Sequence, residues 1–80
     1  MNSDVLADYT FDAIDLACPL PLLKAKSLLN RILPGQKLSI RRVHISQVAD
    51  FEHWCGRTGQ SLQINKTSST QHFDILVKKV

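Results

Sequence analysis

Two prolines one residue apart, Pro19 and Pro21, constrain this chain more than any other feature. Proline lacks a backbone N–H, and its ring clashes with the preceding helical turn. The pair can therefore open a helix but not sit inside one. The residues that follow have helical spacing. Leu22, Ala25, Leu29, Ile32 and Leu33 fall on one narrow arc, with Lys24, Ser27 and Arg31 opposite. A first helix is expected from Pro19 to about Ile32. Leu33-Pro34-Gly35-Gln36 reads as a stop and a turn.

Around this helix the apolar pattern has period two. Tyr9 to Ala13 alternates and predicts a half-buried strand, and Lys37 to Arg41 predicts a second. Ser46 is a candidate cap for a second helix over Gln47 to Thr58, with Val48, Phe51 and Cys55 on its apolar arc and Trp54 on the flank. Gly59 suits the left-handed residue that ends such a helix. Leu62 and Ile64 share one face of a third strand. Phe73, Ile75 and Val77 share a face of a fourth, and Thr67 to Gln71 forms a polar hairpin loop. The order β-α-β-α-β-β predicts an α+β fold: a two-layer sandwich of a mixed four-stranded sheet with both helices on one face. Residues 1–8 carry no pattern and are expected to form a flexible N-terminal tail, with residues 9–80 as a single domain.

Size and composition narrow the function. Eighty residues bury roughly 60–65% of the surface the unfolded chain exposes. That is enough for one core but not for a cavity enclosing a large cofactor. With 44% hydrophobic and 21% charged residues the chain reads as globular, and a net charge of +3 falls short of a nucleic-acid footprint. No apolar run is long enough to span a membrane, and the N-terminus does not read as a secretory signal. The expected location is the cytoplasm. Two cysteines, Cys18 and Cys55, are too few for a disulfide framework or a four-cysteine zinc site.

Cys18 immediately precedes the two prolines, which puts it at the expected cap of the first helix. A helix start leaves unpaired N–H groups and a partial positive charge, both of which stabilise a thiolate and lower its pKa. With Pro19 and Pro21 lacking N–H, the expected donors are those of Leu20, Leu22 and Leu23. Lys24 and Lys26 add positive potential. His44, His53 and His72 are distant in sequence, so no general base stands beside the cysteine. The arrangement suits a nucleophile that accepts and passes on an atom better than one that hydrolyses an ester. The bland alternative is a small buried packing residue.

Cys18-Pro19-Leu20-Pro21-Leu22-Leu23-Lys24-Ala25-Lys26 resembles the CPxPxLKAK signature of the TusA/SirA-like sulfur carriers. Phe11-Asp12, the Leu33-Pro34-Gly35 turn, Asp50-Phe51, Trp54-Cys55 and Thr58-Gly59 match as well, so the resemblance spans nearly the whole domain. It implies a sandwich like the C-terminal domain of translation initiation factor three. It also implies that Cys18 carries sulfur as a persulfide, taken from a cysteine desulfurase or rhodanese-like donor. The sulfur would then pass to a relay acceptor protein, toward tRNA 2-thiouridine or other sulfur metabolism. No cofactor or metal is implied, and a monomer is expected. The loop before the cysteine departs from the pattern. Ile14-Asp15-Leu16-Ala17 stands where the family has a basic-Gly-Leu-basic stretch, and His44-Ile45-Ser46-Gln47 replaces its usual Asp-Pro-Gly-Ser.

The remaining residues read more plainly. Cys55 lies on the apolar arc of its helix, as a packing thiol would; a resolving cysteine is the alternative. His44, His53 and Cys55 match no common zinc spacing. Leu20 and Leu23 point away from the apolar arc and, with Asp15, are candidates for partner docking. Lys37, Arg41, Arg42, Lys78 and Lys79 read as solvated charge, and Tyr9, Phe11, Phe51, Trp54 and Phe73 as mostly core-facing. Direct nucleic-acid binding and membrane association are not expected. Two competing classes stay open: a regulatory interaction module without sulfur chemistry, and a small RNA-binding domain.

Overall fold

The computed structural model describes residues 8–17 and 19–80. Its elements are β1 (Tyr9–Asp12), α1 (Leu20–Leu29), β2 (Lys37–His44), α2 (Ile45–Thr58), β3 (Ser61–Lys66) and β4 (His72–Lys78), the expected order. The sheet runs β1-β2-β4-β3. β1 lies parallel to β2, while β4 lies antiparallel to both β2 and β3. Two β-α-β crossovers thus share one sheet, with β4 inserted between β2 and β3.

Register explains the core. Phe11, Ile40, Ile75 and Ile64 stand opposite one another across the four strands, and Tyr9, Leu38, Val77 and Leu62 form the next row. Partnered residues share a sheet face, so these rows build one apolar face. Leu38, Ile40, Val43, Ile75 and Val77 on the sheet, with Ala25 of α1 and Phe51 of α2, are completely buried in a single cluster. The opposite face carries the row Thr10, Ser39, Leu76 and Gln63.

The helix boundaries differ from the sequence reading in instructive ways. Pro19 is the cap of α1, so the helix begins one residue later than expected, and Pro21 sits in its first turn where a missing N–H costs nothing. α1 also ends sooner, at Leu29 rather than Ile32. Leu33 precedes Pro34 and is steered away from helical backbone, and its N–H donates to Gln36 Oε1 at 2.8 Å. Ile32 is still buried, but Leu33 is 68% exposed, so it does not belong to the apolar arc. α2 begins at Ile45 because His44, not Ser46, is its cap: the Ser46 N–H donates to His44 Nδ1 at 3.1 Å. Its inward residues are Gln47, Phe51 and Cys55, with Val48 only half-buried. Gly59 ends it at φ 78°, the left-handed conformation that glycine adopts without steric cost.

The N-terminal tail expected over residues 1–8 lies, for residues 1–7, outside the described residues. Asp8 is tied to Lys37 twice. Its N–H donates to the Lys37 carbonyl at 2.9 Å, and its carboxylate accepts the Lys37 N–H at 2.9 Å.

Candidate functional site

Cys18 itself lies outside the described residues, between a loop that ends at Ala17 and a helix capped by Pro19. β1 hands over to a loop, residues 13–17, built from successive turns. The Ala13 N–H donates to the Arg41 carbonyl of β2 at 2.8 Å, which keeps the loop on the sheet as the strand ends. The Ile14 N–H donates to Asp12 Oδ1 at 3.0 Å, and the Leu16 N–H to the Ala13 carbonyl at 3.0 Å. Ala13 is buried and Leu16 packs against the core, so the loop has apolar anchors as well. The Leu20 N–H then donates to the Ala17 carbonyl at 2.8 Å. This bond holds together the residues that flank position 18.

The start of α1 carries the partial positive charge of any helix N-terminus. It has no acidic residue in its first turn and no side-chain cap. Of the three donors expected there, Leu20 and Leu23 already have partners: Leu20 donates to Ala17, and Leu23 to the Pro19 carbonyl at 3.1 Å. Leu20 and Leu23 are half exposed, one helical turn apart on the same side of α1. Ile14, in the preceding loop, is also exposed.

The structure separates the two lysines of the motif. Lys24 Nζ sits 4.8 Å from the centre of the Phe11 ring, a cation–π contact that fastens α1 to β1. Lys26 instead lines an open groove of about 530 Å³ between α1 and α2, together with Leu22, Asp50, His53, Trp54 and Arg57.

Two expectations about surrounding residues are corrected. Arg42 is not simply solvated: its guanidinium pairs with the Asp12 carboxylate, 30 residues away in sequence. Arg42 holds the Asp12 carboxyl below its ordinary value, and the Ile14 N–H assists. Tyr9, on the edge strand of the described sheet, is 44% exposed and is not a core residue. No signal in the sequence marked the Asp12–Arg42 pair. Among the described residues, no three histidine, cysteine, aspartate or glutamate side chains converge as a metal site would require.

Cys55 has the environment of a packing residue. It is 2% exposed, and burial pushes its thiol up from 9.0 to about 11. The folded state therefore holds this proton more tightly than the unfolded chain does. The associated stability is fully present below about pH 9 and is lost as pH rises through about 11. A shift of this size corresponds to about 3 kcal/mol. Thermal melts across that range should show the wild-type Tm falling more steeply than that of Cys55→Ala; parallel curves would contradict the assignment.

Comparison with known proteins agrees with this frame. The family model described as "Sulfurtransferase TusA" matches residues 9–79. The chain belongs to the TusA family. Over 72 residues it is 38% identical to the sulfur carrier protein TusA of Allochromatium vinosum, covering 90% of this chain and 93% of that protein. A putative sulfur carrier protein of Neisseria meningitidis is 37% identical over 62 residues, 78% of this chain and 77% of its own. The crystal structure of a SirA-like protein from Desulfitobacterium hafniense superposes with a TM-score of 0.77, covering 88% of this chain and 95% of that one. At 14% identity that likeness concerns the fold alone. Family membership makes this a sulfur-carrier protein, with sulfur donors and acceptors as its class of partner.

Proposed function

We propose that Cys18 is the sulfur-bearing residue of this carrier and that it holds the sulfur as a persulfide. One observation carries the choice between the two cysteines: Cys55 is buried and its thiol stays protonated at neutral pH, whereas Cys18 immediately precedes a helix start with no acidic residue in its first turn. Loading needs no external oxidant. The Cys18 thiolate attacks the terminal sulfur of a donor persulfide, a new S–S bond forms, the donor's S–S bond breaks, and the donor cysteine leaves as a thiolate. Delivery runs the same step in reverse order, with the acceptor thiolate attacking the outer sulfur on Cys18. Ionised persulfide is an anion, which suits the positive end of α1. Residues 9–80 act as one unit in this reading, as a cytoplasmic monomer. The donor is a cysteine desulfurase or rhodanese-like protein, and the acceptor is a relay protein that leads toward tRNA thiolation or other sulfur metabolism.

Leu20 and Leu23 serve as an apolar docking edge beside the sulfur, with Asp15 at its rim. Leu23→Glu places a charge on this half-exposed edge without touching the core. The expected result is an unchanged Tm and a sulfur-transfer rate from a protein donor lowered by about tenfold or more, as for an interface anchor residue. Chemical loading with inorganic polysulfide should be unaffected. Wild-type transfer by the folded variant would remove the docking role. The test of the function itself is intact mass after incubation with cysteine and a cysteine desulfurase, under non-reducing conditions. The wild type should gain one sulfur atom, removable by dithiothreitol. A folded, reduced protein that gains none from several donors would favour the interaction module.

No described helix is long and apolar enough to cross a membrane.

A further inference from the structure

The β2–β4 register shifts between Ile40 and Val43, and within that irregularity Arg42 takes a φ of 55°. A left-handed arginine is uncommon and carries a steric cost. Its bonds define what this conformation serves. The Arg42 N–H donates to Asp74 Oδ1 on β4 at 3.0 Å. Its guanidinium reaches the other way, onto β1, where Nε donates to both oxygens of Asp12 at 2.9 and 3.1 Å and Nη2 donates to Oδ2. The same Asp12 Oδ1 accepts the Ile14 N–H, the first bond of the loop that leads to position 18.

We infer that Arg42 is a positioning residue for Cys18: through Asp12 it clamps the loop over residues 13–17, and it places beside that loop a positive charge the loop itself lacks. The inference rests on Cys18 being the sulfur-bearing residue. The charges that face the guanidinium are Asp12 from β1, Asp15 from the loop and Asp74 from β4, with Arg41 adjacent on β2. Without Arg42, Asp12 would keep only the Arg41 charge nearby, and Asp15 would lose the guanidinium that faces it, on the path to position 18. Those carboxylates disfavour a neighbouring thiolate or persulfide anion. The pair is about half exposed on the arginine side, where an ion pair adds little to global stability. Its effect should be on the loop, not on the fold.

Arg42→Gly tests this cleanly. Glycine accommodates the left-handed backbone better than arginine and keeps the N–H bond to Asp74, so the variant removes the guanidinium while relaxing the strand. The readout is the rate at which iodoacetamide alkylates Cys18 in the native protein at neutral pH, followed by peptide mass. Cys55 is buried and does not compete. The expected result is alkylation slowed by about fivefold in Arg42→Gly, partial recovery in Arg42→Lys, and a Tm no lower than wild type. An Arg42→Gly protein that alkylates at the wild-type rate overturns the inference. Sulfur loading of the wild type, measured alongside, reports separately on the carrier role. A wild type that alkylates but never takes up sulfur sinks that role, while the alkylation comparison still decides the part played by Arg42.

Discussion

Cys18→Ala is expected to abolish sulfur loading outright, and Cys55→Ala to retain it. The asymmetry follows from where the two thiols can ionise. Cys55 lies on the inward arc of α2, 2% exposed, with its pKa pushed up to about 11. At pH 7 such a group is a thiolate about once in ten thousand molecules, and donor sulfur has no path to it. Replacing it with alanine deletes one buried sulfur and costs about 1–2 kcal/mol of stability. Cys18 has no deputy: removing its sulfur removes the atom that forms the S–S bond, so the loss is complete rather than graded. Intact mass of each single variant after treatment with a desulfurase and cysteine measures both halves. Equal loading of the two variants would refute the assignment, and loading confined to Cys18→Ala would reverse it.

The chemistry-bearing segment was legible in the sequence because its signal is local. A cysteine followed by prolines at the first and third positions after it, then by an amphipathic stretch, describes a helix start whatever surrounds it. Element order was legible for the same reason, as periods of two and of 3.6 are read one segment at a time. What escaped depends on contacts between segments. The alternation of the second strand runs only to Arg41, yet β2 continues to His44. The left-handed Arg42 inserts a bulge that returns Val43 to the buried face, so the strand survives its own loss of period. His44 gives no capping signal in a sequence, because an imidazole is not among the usual capping side chains, although its Nδ1 accepts the Ser46 N–H as an aspartate oxygen would. The Asp12–Arg42 pair joins residues 30 apart and becomes visible only once β1 lies parallel to β2.

The largest effect on stability is expected from Phe51→Ala. Phe51 is the bulkiest of the completely buried side chains, and it meets Trp54 edge-on with ring centres 6.2 Å apart. Truncation at a fully buried phenylalanine costs about 3–5 kcal/mol, from lost transfer energy plus the cavity left behind. A domain of 80 residues has a total stability on the order of 4–12 kcal/mol. In a chain this small, each kcal/mol moves Tm by about 4–8 °C, so Tm should fall by about 12–40 °C. Phe51→Leu, which keeps most of the volume, should fall much less. α2 packs against β2, β3 and β4, while the loop over residues 13–17 is held by β1, β2 and the start of α1. Sulfur loading per folded molecule should therefore stay near wild type in Phe51→Ala below its lowered Tm. Calorimetry gives the first quantity, and loading normalised to the folded fraction gives the second. A melting point that barely moves would mean the core closes over the gap. Loading that fails in protein still folded would mean that α2 supports the cysteine loop as well as the core.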